Sequence, residues 1–259
     1  MTKTENTLES SMGELFVREV SLVRKPPEGS YLCKLPVVYA LAEAPISFHA
    51  PVTFFVGENG TGKSTLIEAL AVAMGFNPEG GTRNFRFSTE ETHSELHTCL
   101  RVAKGVRRIQ DGFFLRAESF YNVATNIDEL DREPSFGAPL IDSYGGVSLH
   151  RQSHGESFMA LVENRFGGDG LYILDEPEAA LSPMMLMRLM CRINELVMQR
   201  SQFIIATHSP ILMTFPGAQT YELGKEGIRS VDYRETEHYQ MTRRFLENPE
   251  RMTNLLFGK

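Results

Sequence analysis

Apolar residues along this chain fall in short runs divided by turn-formers, a pattern that predicts many short strands with helices between them. Leu15 to Val23 has strand character, Lys25-Pro26-Pro27-Glu28-Gly29 interrupts it, and Leu35 to Leu41 and Ile46-Ser47-Phe48 resume β-prone patterning. The run Val52-Thr53-Phe54-Phe55-Val56 reads as a strand and Leu66 to Ala71 as a helix. After a loop at Asn77-Pro78-Glu79-Gly80-Gly81, Leu96 to Val102 and Gly112 to Arg116 read as further strands. Residues 121 to 152 mix weak helix and loop signals, with Pro134, Gly137, Pro139 and the pair Gly145-Gly146. Leu171 to Leu174 and, within the run that opens at Gln202, Phe203 to Ala206 are continuous apolar stretches, the mark of parallel strands buried on both faces. In the helix after Pro183, Met184, Met185, Met187 and Met190 accompany Leu186 and Leu189 and are expected to pack in the core. Glu235 to Phe257 is helical up to Asn248-Pro249 and again beyond it, a segment that caps the domain or offers a partner surface. No repeat and no Pro- or Ser-rich linker divides the chain, so residues 1–259 are expected to form one domain with a smaller inserted lobe.

Composition narrows the partners only a little. A formal net charge of −7 argues against a nucleic-acid footprint spread over the whole surface, yet leaves room for a local basic patch such as Arg83 and Arg86 beside Asn84. The bland reading of those two arginines is a solvated loop. Cys33, Cys99 and Cys191 are odd in number and match no metal-ligand spacing, so a reducing compartment is expected and the cytoplasm fits. Met1 to Ser11 is too polar for a signal peptide, and no apolar stretch approaches the length of a membrane span. Work at a membrane would therefore require another subunit to provide the membrane part.

The chemistry is concentrated at the ends of three predicted strands. Gly57-Glu58-Asn59-Gly60-Thr61-Gly62-Lys63-Ser64-Thr65 follows one strand and opens a helix, the setting a P-loop requires. Its glycines let the backbone N–H groups curl inward, Lys63 supplies a cation for β and γ phosphates, and the Ser64 hydroxyl can sit on Mg²⁺. The new helix adds its positive end to the same anion site. Asn59 to Thr65 are the nucleotide-binding candidates. A second strand ends in Asp175-Glu176: Asp175 can hold Mg²⁺ opposite Ser64, and Glu176 is placed to polarise an attacking water. A third ends in Thr207-His208-Ser209, where an imidazole can hydrogen-bond the γ-phosphate.

Together these residues resemble the ABC-class ATPases. The P-loop, Asp175-Glu176, Glu178-Ala179-Ala180-Leu181-Ser182 and His208 are similar to that class's Walker A, Walker B, D-loop and switch histidine, in order and approximate spacing. Gln152-Ser153-His154-Gly155-Glu156-Ser157 stands where the class carries its Leu-Ser-Gly-Gly-Gln signature. Ser153 and Gly155 match, whereas Gln152, His154 and Glu156 depart, and Glu156 resembles the chromosome-maintenance and repair branch more than the transporters. The resemblance is nearest to small standalone predicted ATPases and covers roughly residues 15 to 215.

It implies an α/β fold: a P-loop NTPase core of mostly parallel strands flanked by helices, with an antiparallel β subdomain and a small helical lobe at about 121–165. It further implies ATP and Mg²⁺ as cofactors, with Lys63, Glu176 and His208 in hydrolysis. Two copies would close head to tail, Ser153 and Gly155 touching the γ-phosphate held by the other. The class's glutamine that contacts Mg²⁺ has no clear counterpart; Gln110 precedes its strand, and Glu118 is the candidate, as a carboxylate can give the same oxygen coordination. Tyr31 is a candidate for stacking on adenine. A soluble switch in nucleic-acid maintenance or phage defence, with a nucleic acid or nuclease as partner, is the leading expectation. The alternatives are the ATP-binding subunit of a membrane transporter and a nucleotide-dependent regulator. Residues 65 to 152 leave no space for the long heptad coiled coil of the repair branch.

Overall fold

The computed structural model describes residues 15–83, 94–118, 120–132 and 140–258. Met1 to Ser11, Asn84, Arg86, Pro134, Gly137 and Pro139, singled out above, lie outside the described residues. The described chain runs β1 (Val17–Leu22), α1 (Pro36–Glu43), β2 (Ile46–Ser47), β3 (Val52–Gly57), α2 (Lys63–Ala73), β4 (Leu100–Lys104), β5 (Asp111–Arg116), α3 (Phe120–Arg132), α4 (His154–Arg165) and β6 (Gly170–Asp175). It continues through α5 (Pro183–Met198), β7 (Gln202–Ala206), α6 (Pro210–Met213), β8 (Gln219–Gly224), β9 (Gly227–Val231), α7 (Glu237–Glu247) and α8 (Pro249–Leu256).

Six strands form the main sheet in the order β5-β6-β7-β3-β8-β9, parallel except for the β8–β9 hairpin at the edge. A second, antiparallel sheet has the order β2-β1-β4. The fold is thus the expected α/β arrangement, with a mostly parallel sheet and a small antiparallel one. Every residue of β3, β6 and β7 is buried, which explains their near-continuous apolar runs, broken only by the buried polar residues Thr53, Asp175 and Gln202. Their side chains still alternate between two cores. Phe54, Phe113, Tyr172, Leu174 and Phe203 face the layer made by α3, α4 and α5, while Phe55, Phe114, Ile173 and Ile204 face α1, α2 and β1. Truncating any one of these phenylalanines to alanine carries the usual core penalty of about 3–5 kcal/mol.

Three local expectations need correction, and one hairpin is added. Leu35 to Leu41, read as β-prone, is the helix α1. Pro36 occupies its first turn with φ already set for a helix, and Val37, Val38 and Leu41 bury one helical face while Tyr39 points out, so the β-branched pair Val37-Val38 misled a reading by propensity. Leu96 to Val102 splits: Ser94 caps a 3-10 turn over Glu95–Cys99, accepting from the Leu96 N–H, and the strand begins at Leu100. Met184 and Met187 are exposed rather than core; Leu186, Leu189, Ile193 and Leu196 form the buried stripe of α5, with Met185 and Met190 packed partly against it. The β8–β9 hairpin has no counterpart among the strands read from the sequence.

Candidate functional site

Parallel strands carry their carboxyl ends to one edge of a sheet, and β3, β6 and β7 deliver Gly57, Asp175 and Ala206 there side by side. The loop after β3 is shaped by glycine. Gly57 has φ +141° and a Cβ on it would come within 2.1 Å of the Leu223 carbonyl oxygen, so only glycine lets β3 pass β8 here. Asn59 and Gly60 are exposed, and Thr61 is buried with its hydroxyl donating to the Glu58 carbonyl at 2.8 Å. Gly62, left-handed, precedes the first turn of α2, whose N-terminal groups include Lys63, Ser64 and the half-buried Thr65. Val37 N donates to the Thr61 carbonyl at 3.3 Å, tying the segment after Tyr31 to this loop; the Tyr31 ring itself is exposed.

Lys63 folds back over the loop. Its Nζ donates to the Gly57 carbonyl at 2.7 Å and the Glu58 carbonyl at 3.1 Å. Burial draws its pKa below that of a free amine, a shift opposed by the carboxylates of Glu176 and Asp175. The Ser64 hydroxyl donates to Asp175 Oδ1 at 3.1 Å, so the two oxygens proposed as metal donors are already neighbours. Asp175 is nearly solvent-free, and burial pushes its carboxyl up to about 6 against the pull of Arg116 and the Ser64 hydroxyl. Arg116 was not singled out by sequence. It ends β5 opposite Asp175 in the sheet register and holds three acids: Glu68 at 2.8 Å, Glu118 at 3.6 Å and Asp175 at 3.6 Å. Glu118 itself stands at the rim, its side chain 86% exposed.

Glu176 has φ 49° and ψ 53°, a left-handed conformation that costs a non-glycine residue about 1–2 kcal/mol. Its N–H donates to the Ala206 carbonyl at 3.0 Å, which pins the turn to β7. There His208 Nε2 stands 3.3 Å from Glu176 Oε1, an electrostatic contact rather than a formed hydrogen bond. The His208 backbone N–H donates to the Glu178 carboxylate, whose pKa burial raises. Burial, then Lys63, lowers the His208 pKa, while Glu176 opposes the shift, so the ring is held neutral at pH 7. On its other side His208 Nδ1 lies 3.0 Å from Nε2 of His238, a residue of α7 that no spacing rule connects to the strand-end motifs.

A cleft of about 170 Å³ is lined by Ser64, Arg116, Ala117, Glu118, His154, Asp175, Glu176 and Ala179. His154 brings the signature segment to this wall. Ser153 and Gly155 do not line it: Ser153 caps α4, its hydroxyl accepting from the Glu156 N–H and donating to the Glu156 carboxylate at 2.6 Å, and both residues of this capping box are exposed. The donor set suits Mg²⁺. Among the described residues no cluster of three or more His, Cys, Asp or Glu side chains forms a metal cage, and Mg²⁺ is held by one or two protein oxygens together with water and phosphate.

Residues 38–130 match a family model described as "AAA domain", and residues 147–214 match one described as "AAA domain, putative AbiEii toxin, Type IV TA system". The two matches take in the P-loop and the Asp175, Glu176 and His208 strand ends. The matched residues are P-loop ATPase domains, set in a fold like that of ABC cassettes. The ATPase is similar in fold to cbiO1 of Clostridium perfringens, part of the ABC transporter complex cbiONQ, with a TM-score of 0.52 at 15% identity over 94% of this chain and 99% of that one. It is likewise similar to an ATP-binding cassette of an ABC transporter, with a TM-score of 0.51 at 14% identity over 90% and 98%. No curated protein matches the ATPase. No helix among its described residues is long and apolar enough to cross a membrane.

Proposed function

We propose that this ATPase binds Mg-ATP at the carboxyl edge of its sheet and hydrolyses it in a head-to-tail pair of identical chains, acting as an ATP-driven switch. The observation that carries the reading is the meeting of Lys63, Ser64, Asp175, Glu176 and His208 at one edge, with Ser64 and Asp175 3.1 Å apart and Glu176 3.3 Å from His208. The Asn59 to Thr65 loop and the start of α2 cradle the phosphates, and Lys63 exchanges its loop carbonyls for phosphate oxygens. Ser64 and Asp175 would hold Mg²⁺, with the exposed Glu118 carboxylate at the rim as a further oxygen donor, and the ion would neutralise charge on the phosphates. Glu176 accepts a proton from the attacking water, and neutral His208 hydrogen-bonds the γ-phosphate.

The second copy supplies Ser153 and the Gly155 amide at the exposed start of α4, a helix N-terminus free to face a phosphate on another chain. Residues 1–259 act as one ATPase domain, with 121–165 as the lobe that presents this signature. The likeness of residues 147–214 to a putative AbiEii toxin of a type IV TA system supports a toxin–antitoxin-type role over the transporter one, and a nucleic acid or nuclease is the partner we propose for it. In the decisive experiment, Glu176→Gln binds ATP and sediments as a dimer with ATP while turnover falls about 10²- to 10⁴-fold. A Glu176→Gln enzyme of normal turnover removes Glu176 as the base, and a Ser153→Arg variant that still dimerises with ATP overturns the signature assignment. DNA-stimulated turnover separates the nucleic-acid role from the transporter one.

A further inference from the structure

We propose that His238 is a positioning residue for hydrolysis: it selects the tautomer of His208 that directs an N–H toward Glu176 and the phosphate. The proposal rests on the reading of His208 as the phosphate contact. Four groups surround the His208 ring or its backbone: the Glu176 carboxylate at 3.3 Å from Nε2, the Glu178 carboxylate on the backbone N–H, the Lys63 ammonium, and His238 with its Nε2 at 3.0 Å from Nδ1. A neutral imidazole carries one proton and one lone pair. If Nδ1 carried the proton, the Nε2 lone pair would face the Glu176 carboxylate, a repulsive arrangement. If His238 Nε2–H donates to Nδ1, the proton of His208 is left on Nε2, facing the carboxylate favourably. The partner on one ring nitrogen thus decides what the other presents.

His238 is itself held for this task. Thr236, fully buried, caps α7 and donates its hydroxyl to the Tyr233 carbonyl at 2.6 Å, and the Glu237 N–H donates to Glu222 Oε1 at 3.0 Å. Neither α7 nor α8 has a buried residue of its own; the buried anchor is the cap Thr236, two residues before His238.

The test compares His238→Phe, which keeps a ring but loses the donor, with His238→Gln, whose amide N–H can replace it. Histidine ¹⁵N NMR of the full chain reads the His208 tautomer directly. In the wild type and His238→Gln the expected signal is Nε2–H; in His238→Phe a population protonated on Nδ1 emerges. Turnover is expected to fall about tenfold in His238→Phe with KM for ATP within about twofold, and to stay within about threefold of wild type in His238→Gln, the scale of one hydrogen bond. An unchanged tautomer in His238→Phe overturns the proposal, as does an equal loss of turnover in both variants. A wild-type chain without ATP turnover removes the hydrolytic reading, and the tautomer readout still decides the role of His238.

Discussion

Glu176 gives the sharpest prediction because its backbone and its side chain ask for different residues. At φ 49° and ψ 53° any residue with a Cβ is strained by about 1–2 kcal/mol, and glycine is not. Against this, glycine loses about 0.5–1 kcal/mol more backbone entropy on folding than alanine does. Glu176→Ala and Glu176→Gly remove the same carboxylate, the same contact with His208 and the same repulsion of Asp175, so their difference isolates the backbone. The net is a glycine variant more stable than the alanine variant by about 0.5–1 kcal/mol, or roughly 1–4 °C in Tm for a chain of this size. At an ordinary position the order would be reversed. Both variants are expected to lose at least about 10²-fold in ATP turnover. Differential scanning calorimetry in nucleotide-free, metal-free buffer gives the Tm pair, and a coupled phosphate assay gives turnover. An alanine variant equal to or more stable than the glycine variant would refute the strain at Glu176, and with it the idea that stability is given up here for function.

Two further outcomes test the electrostatics at opposite edges of the sheet. Asp175 titrates near 6 in the folded chain and near the ordinary aspartate value when unfolded, so the folded state holds its proton more tightly; stability is lost as pH rises from about 4 through 6, by about 2–3 kcal/mol. Asp175→Asn in metal-free buffer should therefore raise Tm above wild type at pH 7.5 and converge with it near pH 4, and parallel Tm curves over that range would contradict the burial argument. At the far edge, Asp111 accepts from the Tyr172 hydroxyl at 2.8 Å, the Gly167 N–H at 2.9 Å and Arg165 at 2.8 Å. Asp111→Ala leaves the partly exposed Arg165 with its Tyr144 contact alone and should cost about 1.5–3 kcal/mol by chemical denaturation while turnover per folded molecule is unchanged; a selective loss of turnover would show that the two edges are coupled.

What was legible in the sequence is what neighbouring residues determine. Gly57 to Thr65 sets its own turn, and Asp175-Glu176 and Thr207-His208 each terminate an apolar run, so strand, turn and chemistry are contiguous in the chain. The mistakes have the opposite origin. Val37 and Val38 favour a strand by branching, but Pro36 and the packing of one face against the core make a helix. Met184 and Met187 are apolar, yet the rotation of α5 is fixed by Leu186, Leu189, Ile193 and Leu196, which leaves those two outside. Arg116 and His238 were missed because neither carries a local signal. One reaches Asp175 through the pairing of β5 with β6, the other reaches His208 through the docking of α7, and both are products of long-range packing.

Arg116 changes how the charge of the site is understood. Glu68, Glu118, Asp175, Glu176 and Glu178 crowd an edge where Lys63 and Arg116 are the cations drawn into contact with the strand ends. Arg116 is spread over three of those acids, and even so burial and the neighbouring Glu176 and Glu118 leave Asp175 with a raised pKa. A triphosphate entering by the acidic side would be repelled, so the favourable approach is over Lys63 and the N–H groups at the start of α2, where the helix end is positive. The acidic side, in turn, is the place where an added cation gains most, because positive charge there offsets the cost of burying the Asp175 carboxylate and, secondarily, the repulsion from Glu176 and Glu118. The loop and the acids thus divide the proposed substrate between them: the phosphates belong to Lys63 and the loop, the metal to Ser64 and Asp175, and the 3.1 Å between Ser64 and Asp175 is where the two halves meet.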